Sequence, residues 1–293
     1  SRDDFEQHME SLIEAGRWDA VEALAVASRT STAPWYHGIS RWDHFNEMIN
    51  RFNSDGTRLK QAAETILARD AESVIGHVWA VAAEIALAWK ARGNTYADRV
   101  SEAQWQQFYQ HIERADQLLD HAASQVEDDP AFHQFRFVVL RAQGAEREEV
   151  FTALDRAIEK WPKSVDIYHN AAVQMLPRWG GGPEAMGALA SRCVEKTRGE
   201  IGESVYFIVA VFVAYNERWH NVFLRSGLDW DQIKSGYDDY RTHFGDGYEW
   251  HNYMAALACS AGDKEYARDL WTKVDARHWP TVWFIEAVEG WKK

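Results

Sequence analysis

The residues best suited to chemistry run from Pro177 to Pro183: Pro177-Arg178-Trp179-Gly180-Gly181-Gly182-Pro183. Three glycines let the backbone come close to a ligand, Arg178 supplies a charge and Trp179 a flat apolar face. Free amides of the helix that Pro183 opens could hold an anion. The same residues also suit a purely structural role, with the tryptophan wedged between helix pairs and the arginine on nearby helix-end carbonyls. No Gly-Lys-Ser/Thr follows, so this is not a P-loop.

Other chemical groupings are weaker. His111, Asp120 and His121 share a helix, but offsets of nine and ten residues separate them by two or more turns. Neither His-Glu-x-x-His nor Cys-x-x-Cys occurs, so no metal site is expected. The neighbouring carboxylates Asp3-Asp4, Asp128-Asp129 and Asp238-Asp239 would point about 100° apart on a helix, too divergent for an acid and a base. Cys193 and Cys259 carry no nucleophile signature. No catalytic set and no cofactor follow from these residues. Two further groups, Trp250, His251 and Asn252 on one helix and His169 and Asn170 on an earlier one, could line a binding face or serve ordinary packing and hydrogen bonding between repeats. Trp230 and Lys234 could join Arg178 and Trp179 in a small-molecule site.

The elements that must hold these residues read as helices almost throughout, with no alternating strand and no Asn-Gly hairpin turn. Helices are expected over about 3–16 and 19–29, turning at Gly16-Arg17-Trp18, then over 40–52 and 57–69 after an aromatic loop at 30–39. Two long helices follow, 71–92 and 98–127, with Gly93 placed to end the first in a left-handed residue. Asp129 and Pro130 read as N-cap and first residue of a helix ending at Gly144, paired with 146–160. Ser164 caps a helix to Met175. After the glycine loop come helices to Arg198, over 201–216, and near 218–224. Asp229-x-x-Gln232 reads as a capping box opening a helix to His243. The hairpin 248–261 with 263–275 turns at Gly262-Asp263 and sets Ala267, Trp271 and Val274 on one face; a closing helix is expected over 280–291.

Composition narrows the partners. The 293 residues are 46% hydrophobic, enough for a large core. With 32 basic against 45 acidic residues the net charge is -13, which repels nucleic acid and suits either simple solubility or a basic protein partner. Fifteen tryptophans suit wedges between helices. Two cysteines without a disulfide pattern indicate a reducing, cytoplasmic setting; a removed leader stays open, since the chain starts at Ser1. The apolar run Tyr206–Tyr215 is too short to span a bilayer, and no membrane partner is expected.

In order along the chain, Ala91-Arg92-Gly93, Trp105-x-x-Phe108, Asp129-Pro130, Leu176-Pro177-Arg178-Trp179-Gly180-Gly181, Asp229-Trp230 with Lys234-x-Gly236, and Ala258-Cys259-x-Ala261-Gly262-Asp263 form a pattern. It resembles a bacterial domain-of-unknown-function family of tetratricopeptide-like helical proteins carrying a Leu-Pro-Arg-Trp-Gly-Gly element. Gly182 departs from it, where a small hydroxyl residue is common. The resemblance implies a helical, tetratricopeptide-like bacterial protein without a catalytic motif.

The sequence therefore predicts an all-α, tetratricopeptide-like solenoid of irregular antiparallel hairpins. It would form one continuous domain over 1–293, whose soft internal boundary, if there is one, would fall near 128–130 or 177–183. The function expected is non-catalytic protein–protein binding, as an adaptor or immunity-type binder with a concave groove. The alternative is an enzyme or small-molecule binder with a site around 177–183 and 229–236. The sequence leaves the oligomeric state open.

Overall fold

The computed structural model describes residues 2–31, 41–42, 44–46, 56–182, 184–217 and 222–274. Among them every regular element is helical. The aromatic loop beyond Ser31, most of the helix expected over 40–52, Pro183, the start of the helix expected near 218–224 and the closing helix over 280–291 lie outside the described residues. The helices divide into two units, with the chain passing from the first to the second between Ala157 and Ile158.

The first unit holds α1 (Arg2–Glu14), α2 (Trp18–Arg29), α3 (Thr57–Arg69), α4 (Val74–Arg92), α5 (Glu102–His121), the short α6 (Ala123–Val126), α7 (Pro130–Gln143) and most of α8 (Arg147–Lys160). Its organising element is α4. This helix is apolar on almost every side, and α3, α5, α6 and α7 all pack on it, as a helix without a polar face demands. By length and composition α4 could cross a membrane, yet half of it is buried within the unit. Trp79 in its second turn is 1% exposed, with Trp18 set edge-on at 6.2 Å.

The second unit begins in the last turn of α8. It continues with α9 (Val165–Gln174), α10 (Ala185–Ile201), α11 (Ser204–Glu217), the short α12 (Val222–Arg225), α13 (Trp230–Phe244), α14 (Tyr248–Ala261) and α15 (Lys264–Val274). Here α11 plays the part of α4. Residues 205–214 are all buried, with α9, α10, α12, α13 and α14 packed around them. Buried on every side over this stretch, α11 is the core of its unit, with Tyr215 near its end 71% exposed.

Local signals set the ends of many helices. Gly16, Gly144 and Gly262 take positive φ, which side chains with a Cβ rarely adopt, and close turns between successive helices. Asp129 receives the Ala131 amide at 2.9 Å and Pro130 starts α7, as the pair predicts. Three expectations need correction. The single helix over 98–127 is a 3₁₀ turn, α5 and α6, because Ser101 and Gln104 form a capping box that starts α5. Asp229 does cap α13, but the Gln232 side chain reaches the Tyr206 hydroxyl at 3.1 Å instead of closing the box. The buried stripe of α15 is Ala267, Leu270 and Val274, leaving Trp271 44% exposed.

Helix α13 lies close against the start of α11 at Gly236, where a Cβ would lie 2.5 Å from the Glu203 carbonyl oxygen and 3.0 Å from the Phe207 nitrogen. Gly236→Ala is therefore expected to destabilise the protein by about 1–3 kcal/mol in urea denaturation. Gly199→Ala on α10, where nothing stands within 4 Å, should stabilise it by about 0.5–1 kcal/mol. Equal effects at the two positions would contradict this packing.

Candidate functional site

The sequence-selected residues sit on four elements of the second unit. Arg178 and Trp179 lie in a 3₁₀ turn, Pro177–Trp179, directly after α9. Gly180 is left-handed, and a Cβ on Gly181 would fall 1.7 Å from the Met175 carbonyl oxygen, so only glycine lets the loop fold back on α9. Trp179 is 41% exposed. The start of α10 offers less to an anion than the sequence suggests. The Gly187 amide donates to the Ser226 carbonyl at 2.8 Å and the Ala185 amide to Gly182 at 3.2 Å.

His169 and Asn170 sit on α9. The His169 ring packs on Phe212 of α11 with centroids 5.6 Å apart. Burial pushes its pKa down to about 4, and a backbone bond to Ile208 recovers only part of that. Asn170 donates to the Asp166 carbonyl of its own helix at 2.9 Å.

Trp230 and Lys234 come together at the start of α13, with the ammonium 5.5 Å from the ring centroid. Both meet Asp263, the cap of α15. The indole N–H donates to Asp263 at 2.9 Å, and Lys234 lies 3.9 Å from the same carboxylate and 2.8 Å from Asp231. The indole bond holds the Asp263 carboxyl below its ordinary range, and Asp231 raises Lys234. Phe223 and Tyr266 meet the Trp230 ring edge-on. These contacts join α13 to the α14–α15 turn.

On α14, Trp250 packs against Phe207 and Tyr240, and Asn252 is buried, donating to the Tyr248 carbonyl at 2.7 Å. His251 belongs to a polar chain invisible in the sequence. Arg241 grips Asp246 with two bonds of 2.8 and 3.1 Å, Asp246 lies 3.3 Å from His251 Nε2, and His251 Nδ1 meets the Tyr237 hydroxyl. Carboxylate, imidazole and hydroxyl in that order can activate a nucleophile. Here the chemistry runs the other way. Burial lifts the Tyr237 phenol well above its usual range and lowers His251, so the phenol keeps its proton and donates it to a neutral imidazole. With Tyr237 1% exposed, this chain of bonds ties α13 to α14.

A comparable knot lies in the first unit. Glu84, 4% exposed within α4, receives Lys60 of α3 and His111 of α5, each at 2.7 Å. Burial alone would raise its pKa, but His111 and Lys60 outweigh this and hold it below the usual value. The Glu84 bond orients the His111 ring and leaves Nε2 as its outer nitrogen. Asp120 pairs with Arg136 at 2.7 Å, and among the described residues no group of three potential metal ligands converges. Cys193 is buried, and burial raises the thiol of Cys259, which disfavours the reactive thiolate.

Comparison of the chain with family models, characterised proteins and solved structures gives no match.

His169 yields a pH prediction. Its neutral form is favoured by the fold, so the unfolded chain gains a proton near the ordinary histidine value of about 6.5 while the folded chain does not until about 4. Stability from this residue is complete above about pH 6.5 and falls as the pH drops toward 4. Imidazole NMR should give His169 a midpoint near 4; one near 6.5 would mean that the ring is solvated.

Proposed function

We propose that this chain is a non-catalytic protein-interaction module of the adaptor or immunity type, built from tetratricopeptide-like helical hairpins. The observation that carries the reading is the mounting of Trp179. The ring is 41% exposed on a turn whose backbone is already fixed: Trp179 and Gly181 donate to Leu176, and Gly180 to Pro177, at 2.9–3.1 Å. A large aromatic on a preordered backbone loses little entropy when a partner covers it, which is the behaviour of an interface anchor. Arg178, its neighbour, adds a planar donor group.

The hairpin reading draws on the same turn grammar in two places. Gly144 between α7 and α8, and Gly262 between α14 and α15, are both left-handed. Asp263 then accepts the Tyr266 amide and Ala267 packs inside. The family resemblance of Leu176 to Gly181 belongs to this reading, as does a basic partner for a chain of net charge -13.

Full-length chain immobilised in a lysate of its source cells is expected to retain a stoichiometric basic protein. The double variant Arg178→Ala/Trp179→Ala should weaken that capture at least about tenfold, as loss of an anchor does. Equal capture by both chains, or no stoichiometric protein on either, would contradict the proposal.

A further inference from the structure

The first unit carries an aromatic cluster apart from the candidate binding residues of the second unit. At the N-terminal half of α5, Trp105 and Tyr109 stack at 5.7 Å with 21° between their planes. Arg92, from the end of α4, lies over Trp105 at 5.3 Å and over Trp89 at 5.7 Å. Its guanidinium is anchored by the Gly93 and Thr95 carbonyls. Beneath the stack, Phe108 is buried and meets Trp89, Trp105 and Tyr109 edge-on. The result is a rigid ladder of cation, indole and phenol whose last rung, Tyr109, is 51% exposed.

Charge says what fits that rung. At 100° per residue, Glu102 and Glu113 fall within about 40° of Tyr109 on the helix circumference, and both are exposed. Farther along the same stripe, Asp116 and Asp120 are already bridged by Arg136 at 2.5 and 2.7 Å. Among the described residues no cation bridges Glu102 or Glu113, the latter accepting only a long bond from Gln117 at 3.5 Å, and an aromatic face flanked by such carboxylates attracts a planar cation, which can stack on the ring and pair with an acid at once. Arg92 on Trp105 is that chemistry already realised within the chain.

We propose that the stripe Glu102–Trp105–Tyr109–Glu113 docks an arginine-bearing segment of a basic protein, with one guanidinium flat on the face of Tyr109 that Trp105 leaves open and paired with Glu113, while Glu102 adds negative charge at the far end of the stripe. This rests on the protein-binding reading above but uses a different surface, so the two can fail separately.

The test titrates full-length protein with the labelled peptide Gly-Arg-Gly-Arg-Gly-Arg-Gly at low ionic strength, following fluorescence anisotropy. The same peptide with citrulline in place of arginine keeps the shape and loses the charge. The arginine peptide should bind at least about tenfold more tightly than the citrulline peptide. Tyr109→Ala should weaken it about three- to fivefold, Glu113→Gln about twofold, and Tyr109→Phe hardly at all. Circular dichroism should match wild type in each case, since both positions are exposed. Unchanged affinity in Tyr109→Ala, or no binding of the arginine peptide to wild type, overturns this site. Affinity that drops with Trp179→Ala and not with Tyr109→Ala overturns it while leaving the protein-binding reading in place.

Discussion

Two helices without a polar face, α4 and α11, impose the arrangement of everything around them. An isolated helix of this kind would expose apolar surface on all sides, at roughly 25 cal/mol for each Å² left in water. Each is therefore wrapped by its neighbours: α3, α5, α6 and α7 around α4, and α9, α10, α12, α13 and α14 around α11. The wrapping helices need only one apolar stripe, and their amphipathic sequences supply it. Small residues set the distances. Gly236 lets α13 lie against the backbone at the start of α11, and Gly76 fits beneath Leu67 of α3.

The polar groups that resemble functional residues are largely fasteners of this wrapping. Glu84 is the one carboxylate inside α4, and it survives burial because Lys60 and His111 reach it from the helices on either side. Breaking such a pair leaves an uncompensated charge, which is why its partners matter more than its own contribution. Arg241, Asp246, His251 and Tyr237 link α13 to α14 in the same manner, and Asp263 joins Trp230 and Lys234 to the α14–α15 turn. With so many polar side chains drawn inward, Tyr96, Tyr109, Trp179, Tyr215 and Trp271 are large hydrophobic side chains left exposed among the described residues.

Much of the helical pattern was legible in the sequence because its signals are local. Glycine at a helix end and Asp-Pro at a helix start act through the conformation of one or two residues, so Gly144, Gly262 and Asp129-Pro130 could be read directly. Ser101-x-x-Gln104 was equally local but lay inside a long periodic run that masked it. The candidate site was less legible, for a different reason. Lys60 and His111 lie 24 and 27 residues from Glu84, and Gln232 lies 26 residues from Tyr206. No helical period relates such positions; only packing brings them together. The Tyr109 platform was half visible, since Trp105-x-x-Phe108 stood out while its companion Arg92 comes from the preceding helix.

Native-state hydrogen exchange tests the central claim most directly. If α4 and α11 are the enclosed cores of their units, their amides should exchange more slowly than all others in the same unit, opening only with global unfolding. The peripheral pair α1–α2 should exchange well before α4. Amides of α4 that exchange as fast as those of α1 and α2, or of α11 as fast as those of α15, would contradict this account of the fold and of the surfaces built on it.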